Sequence, residues 1–133
     1  MGFAESVAEE DQMAGTPVHV ELPAGDTSRA KEFYGKLFGW QWQDIEGPQE
    51  YHMAQIVPNE SGGAVFPAEE RGVRVYFDVD DINAGAAKVN ELGGKADDPM
   101  PVPGMGWFVT GEDTEGNKIG LWQNDPSAQA PSA

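Results

Sequence analysis

His19 and Arg74 are the residues of this chain most open to a chemical reading, because they stand at matching places in a sequence that repeats itself. Setting Val18–Gly39 (VHVELPAGDTSRAKEFYGKLFG) on Val73–Gly94 (VRVYFDVDDINAGAAKVNELGG) matches Val18, Val20, Asp26, Leu37 and Gly39 with Val73, Val75, Asp81, Leu92 and Gly94, an offset of 55 residues. These identities matter because they fall where a strand, a helix cap and a helix stop need them. By the two-residue period of a strand, His19 shares a face with Glu21, and Arg74 with Tyr76 and Asp78. An imidazole beside a carboxylate can hold a ligand or serve as a general base; it can equally be a structural histidine held by Glu21 or Arg74. An arginine in mid-strand is rarely buried without a partner. Arg74 therefore either pairs with Glu21 or Asp78 or receives an anionic ligand group.

Composition narrows the chemistry further. With no cysteine there is no disulfide framework, thiolate metal site or cysteine nucleophile, and two histidines do not support a Ser–His–Asp arrangement. Eight Lys and Arg against twenty-three Asp and Glu give a net charge of −15, which argues against nucleic acid as a partner. The acidity fits either a solubility adaptation or a cleft that attracts a cation. No apolar run approaches the ~18 residues of a membrane span, and the N-terminus lacks a signal-peptide pattern. A cytoplasmic protein is the default expectation.

The elements that must position these residues are legible as a single α+β domain over 16–124, in two βαβββ halves (16–67 and 72–124), with flexible tails at 1–15 and 125–133. Strands are expected at Val18–Leu22, Trp40–Ile45, Glu50–Ile56, Gly63–Phe66, Val73–Val79, Trp107–Thr110 and Lys118–Gln123, separated by turns that include Gly47-Pro48 and Pro58-Asn59. Asp26 or Thr27 caps a helix with Ala30, Phe33, Tyr34 and Leu37 inward and Gly39 as its stop. Asp80 or Asp81 caps a second, with Ile82, Ala86, Val89 and Leu92 inward and Gly93-Gly94 at its end. The Pro-rich stretch DDPMPVPGMG makes a poor central strand, because proline removes ladder donors. Such a tandem repeat builds a curved mixed sheet with helices on its outer face and a ligand groove between the halves.

VHVELP…DTSRAKEFYGKLFGW, VYFDVDDINAGAAKVNELGGK and PVPGMGWFVTGEDTEGNKIGLWQ, taken together over about residues 17–124, resemble the vicinal oxygen chelate superfamily, which holds glyoxalase I, extradiol dioxygenases, fosfomycin-modifying enzymes and bleomycin resistance proteins. The resemblance implies a glyoxalase-like fold. In the enzymes it also implies a divalent metal held by a His on the first strand, a carboxylate on the fourth, a His or Gln on the fifth and a Glu on the eighth. Carried over, those positions are His19, a residue near Gly63, Arg74 and Gly120. An arginine cannot ligate a metal and a glycine side chain offers no donor, so neither metal nor cofactor is expected.

The groove is then read as His19 and Glu21, the candidate catalytic pair, with Tyr51, Met53, Gln55, Arg74, Tyr76, Asp78, Trp107 and Trp122 as ligand-binding residues. Trp122 should fill the space of the missing Glu and metal. Of Trp107 and Phe108 one points in and the other packs; we assign Trp107 to the groove. Trp40 and Trp42 suit core or dimer packing, and His52 should face away. The leading expectation is a metal-independent protein binding a small organic molecule, with any catalysis resting on His19 or a carboxylate. The alternatives are a bleomycin-type sequestering protein, or a metal-dependent lactoylglutathione lyase-like enzyme or dioxygenase. The resemblance further implies a homodimer.

Overall fold

The computed structural model, which describes residues 15–129 apart from 48, 58 and 59, contains nine strands and two helices. The first half runs β1 (Pro17–Ala24), α1 (Thr27–Phe38), β2 (Gln43–Asp44), β3 (His52–Val57) and β4 (Ser61–Pro67). The second runs β5 (Arg74–Asp78), α2 (Ile82–Glu91), β6 (Lys95–Ala96), β7 (Met100–Val102), β8 (Gly106–Glu112) and β9 (Lys118–Asn124). All strands join one curled mixed sheet ordered β2-β3-β4-β1-β5-β9-β8-β6, with β7 also on β8. β6 and β7 lie along the same side of β8 as one edge strand interrupted at Asp97–Pro99, so the two βαβββ halves are intact. Proline is tolerated there because an edge strand leaves some of its donors unused.

The halves meet at β1 and β5, which pair antiparallel with Val20 opposite Val75, His19 opposite Tyr76 and Glu21 opposite Arg74. Each central strand then takes a parallel neighbour from its own half, β4 beside β1 and β9 beside β5. The 55-residue repeat therefore becomes a pseudo-two-fold axis through the Val20–Val75 pair. His19 and Arg74 occupy equivalent positions about it, as do Glu21 and Tyr76.

Local signals placed both helices. Asp26 is extended and its carboxylate accepts from the Arg29 N–H, while Gly39 closes α1 at φ 77°. Asp81 accepts from the N–H groups of Asn83 and Ala84. Their packing differs from the expected stripes. α2 buries Ile82, Gly85 and Ala86 against Val79, Val109 and Leu121, the core of the molecule, whereas α1 buries no residue fully. Phe33 and Leu37 are 60% and 56% exposed, and Leu92 is 66% exposed. The inner side of α1 is Ala30, Lys31 and Tyr34, because Trp40 and Trp42 return beneath the helix. Trp40 stacks on Tyr34, and Trp42 donates its Nε1–H to the Lys31 carbonyl.

Part of each expected tail is fastened. Gly15 N–H donates to the Asp78 carbonyl. The carbonyl of Ala128, itself 2% exposed, accepts from Gly104 N–H, and Asp125 N–H donates to the Met105 carbonyl. Residues 125–128 thus belong to the fold rather than to a loose end. Residues 1–14 and 130–133, and the expected breaks at Pro48 and Pro58-Asn59, lie outside the described residues.

Candidate functional site

The concave face of the sheet carries the odd-numbered residues of β1, the even-numbered ones of β5, β8 and β9, and a hydrogen-bonded chain across its centre. Glu21 is the hub: its Oε2 accepts from the Tyr51 hydroxyl at 2.8 Å and its Oε1 from the Tyr76 hydroxyl at 3.0 Å. His19 Nε2 lies 2.8 Å from the same Tyr51 oxygen. Tyr51 has one hydroxyl hydrogen and gives it to Glu21, so the hydrogen between His19 and Tyr51 comes from Nε2. Nδ1 of His19 is then a lone pair beside Gly62, without a hydrogen-bond partner among the described residues and not fully buried.

Arg74 neutralises this hub rather than waiting for a ligand. Its Nε stands 3.9 Å from Glu21 Oε1, and its Nη1 donates to the carbonyls of Ile119 at 2.6 Å and Gly111 at 3.0 Å. Of the two partners open to it, Glu21 is the one it meets. Burial holds the His19 imidazole below its ordinary range, partly opposed by the charge of Glu21. Tyr51 and Tyr76 are pushed well above the usual phenol range, first by burial and then by the neighbouring Glu21 carboxylate. Near neutral pH the chain is therefore a neutral imidazole and two neutral phenols around one carboxylate.

The remaining candidates divide. Asp78 and Trp122 sit opposite each other in the parallel β5–β9 register on this face. Met53 and Gln55 share it, opposite Ala64 and Gly62, and stand further out along β3. Trp107 does not belong to it. It packs with the Val79–Val109–Leu121 core beneath α2 and donates its Nε1–H to Asp125. Phe108, its neighbour, turns inward, with its ring centre 6.5 Å from that of Tyr76.

Trp122 does not fill the space over Gly120 either. The Tyr76 ring lies there, so close that a Cβ on Gly120 would collide with it. Trp122 instead covers Gly106 and donates to Asn124. Gly63 faces outward against Ile56 and Trp40, so the groove positions of β4 are Gly62, Ala64 and Phe66. Phe66, Gly106 and Phe108 had no usable signal until the strands were paired.

His52 lies on the opposite face, 7% exposed. Its Nδ1 stands 2.5 Å from Asp44 Oδ1 and its Nε2 2.6 Å from Glu50 Oε2, which also accepts from Thr27 Oγ1. The bond to Glu50, then that to Asp44, raises its pKa against the effects of burial and nearby Lys31. This clamp grips the residues on either side of Tyr51 and ties them to the first turn of α1. A depression of about 620 Å³ along the exposed side of α1, lined by Arg29, Glu32, Phe33 and Lys36 among others, is open surface remote from this chemistry.

The sequence profile of the Glyoxalase/Bleomycin resistance protein/Dioxygenase superfamily matches residues 16–121. The chain belongs to that superfamily. A glyoxylase-like domain-containing protein of Didymella fabae is 35% identical over 111 residues, covering 74% of this chain and 85% of its own. CFP32 of Mycobacterium bovis and Mycobacterium tuberculosis, named provisionally as a glyoxylase, is 33% identical over 82% of this chain. Only 46% of CFP32 is covered, so the chain spans about half the length of these curated relatives.

Among solved structures, methylmalonyl-CoA epimerase of Mycobacterium tuberculosis superposes with TM-score 0.71 at 13% identity, covering 92% of this chain and 95% of the other. The Streptomyces coelicolor epimerase bound to 2-nitronate-propionyl-CoA does so with TM-score 0.70 at 15% identity, covering 89% and 99%. At such identity the likeness is one of fold.

The metal of the superfamily's enzymes does not fit here. Of the four ligand positions only His19 offers a donor, and its Nε2–H is turned to Tyr51. Tyr76 covers Gly120 on β9, Arg74 brings a fixed positive charge, and β4 presents Gly62 and Ala64. Among the described residues no three His, Cys, Asp or Glu side chains gather as an ion would require.

Proposed function

We propose that this protein is a metal-independent member of the superfamily that holds a small organic molecule against the concave face, as a homodimer in the cytoplasm. The observation that carries the reading is the closed chain His19–Tyr51–Glu21–Tyr76, with Arg74 beside it, at the place where a metal centre would need free donors. Around it stand partly exposed rings, Tyr51, Phe66, Phe108 and Trp122, suited to an organic body rather than to an ion. No helix among the described residues is long and apolar enough to cross a membrane.

The solved neighbours include an epimerase bound to methylmalonyl-CoA. A polyanionic thioester suits this chain poorly, because eight cations face twenty-three acids and Arg74 is already engaged. Any turnover would use the His19 Nδ1 lone pair as base, with no Lewis acid.

Elemental analysis of protein purified without chelators tests the reading. We expect far less than one equivalent of Ni, Zn, Fe or Mn, and unchanged melting after EDTA. Stoichiometric metal that only a chelator removes would overturn it.

A further inference from the structure

The class of ligand follows from which polar atoms of the concave face are already engaged, an inference that rests on the binding role proposed above. The hydroxyls of Tyr51 and Tyr76 donate to Glu21, and the His19 Nε2–H points to Tyr51. Thr110 donates to Asp97 and Trp122 to Asn124. The charge of Arg74 is met by Glu21 and its Nη1 by two carbonyls, and at the far end of β9 Lys118 lies 3.9 Å from Glu70.

The Gln55 amide on β3 and the Glu112 carboxylate at the end of β8 are exposed to water; of the partly buried groups two are left over, and both are acceptors. One is the Nδ1 lone pair of His19. The other is the carboxylate of Asp78, half-buried and without a side-chain hydrogen-bond partner among the described residues, directly opposite Trp122 in the register. Trp122 in turn is the register partner of Phe108, so the carboxylate and two partly exposed aromatic residues stand on three successive strands of one face. A carboxylate beside π faces attracts a cation twice, by its charge and by the ring quadrupoles, and an anion not at all.

We propose that the concave face selects an organic amine in its protonated form, with the ammonium at Asp78 and an apolar body against Phe108 and Trp122. His19 Nδ1 accepts a further N–H or O–H from the same molecule.

Phenethylamine, 2-phenylethanol and phenylacetate share one ring and differ in charge, and titrating each against tryptophan fluorescence at neutral pH and low salt tests the assignment. The amine should bind about fivefold more tightly than the alcohol, with phenylacetate weakest. Added salt should erase the amine's advantage. Asp78→Asn should bring the amine to the level of the alcohol, and an unchanged urea unfolding midpoint shows that the variant is folded. Trp122→Phe should remove most of the optical response.

Phenylacetate binding as well as or better than the amine would overturn the amine assignment and leave the binding role standing. An Asp78→Asn variant with the amine preference intact would do the same. Silence from all three at millimolar concentration would sink the binding role with it.

Discussion

The two halves of this molecule share a sequence pattern and divide the labour unequally. The second half owns the apolar core, where Ile82 and Ala86 of α2 meet Val79, Val109 and Leu121. The first half buries no residue of its helix fully, and beside its buried Ala54, Ala64 and Val65 it relies on two sets of polar groups. Those groups are the Glu21 hub on the concave face and the His52 clamp on the other. What separates the halves is what lies under each helix: beneath α1 the returning Trp40 and Trp42 fill the gap, and Phe33 and Leu37 are left facing water. A repeat conserves caps and strand phase, while the partners decide which face of a helix is inner.

The contrast can be broken most forcefully in the core. Ile82→Ala, at a residue 2% exposed, should cost about 2–5 kcal/mol in urea unfolding. A loss under about 1 kcal/mol would mean that the core does not lie where it is described.

Next in size, Gly120→Ala should destabilise by about 1–3 kcal/mol, because a Cβ there meets the Tyr76 ring and displaces it from Glu21. Gly63→Ala, whose Cβ would meet its neighbours at 3.4 Å or more, should be much milder, and equal losses would refute the packing argument. Tyr51→Phe removes the hydroxyl between His19 and Glu21 and should cost about 1–3 kcal/mol, with the His19 titration shifted in NMR spectra.

The two histidines sharpen the comparison, since they predict opposite pH dependence. His52 is raised above its ordinary value of 6.5, so the folded state binds its proton more tightly. Its contribution is complete below about 6.5 and is lost as pH rises through the raised value. His19 is lowered from the same value, so its contribution is complete above about 6.5 and is lost as pH falls toward the lowered one. Unfolding midpoints measured across pH should therefore lose their alkaline decline in His52→Gln and part of their acid decline in His19→Gln. Identical profiles for the two variants would contradict both environments. Smallest of all, Leu37→Ala should change stability by less than about 0.5 kcal/mol, since the residue is more than half exposed.

Much of the fold could be read from local signals. Asp26, Asp81 and Gly39 act where their chemistry says they should, because caps and stops depend on a few neighbouring residues. The repeat divided the chain into two equivalent halves, and strand parity placed His19, Glu21, Arg74, Tyr76 and Asp78 on one face. What stayed hidden depended on contacts between distant strands. Trp107 and Phe108 alternate, and the PVPGMG loop before them gave no phase to say which turned inward. Gly120 could be recognised as lacking a metal donor, but that Tyr76 would lie across it followed only from the parallel pairing of β5 with β9. The Phe33–Leu37 stripe had the right period and the wrong side, because the tryptophans that occupy the inner position lie outside the helix.

The axis through Val20 and Val75 imposes a rule on any chain descended from two identical halves. On such an axis Val20 faces its own copy, Val75, and beside it a residue reaches its copy diagonally, as Glu21 and Tyr76 do through their hydrogen bond. Two carboxylates there would repel, and two phenols would lack an ionised acceptor. A matched acid and hydroxyl can arise only once the copies differ, so departure from symmetry at this pair is a condition for the present bond rather than drift around it.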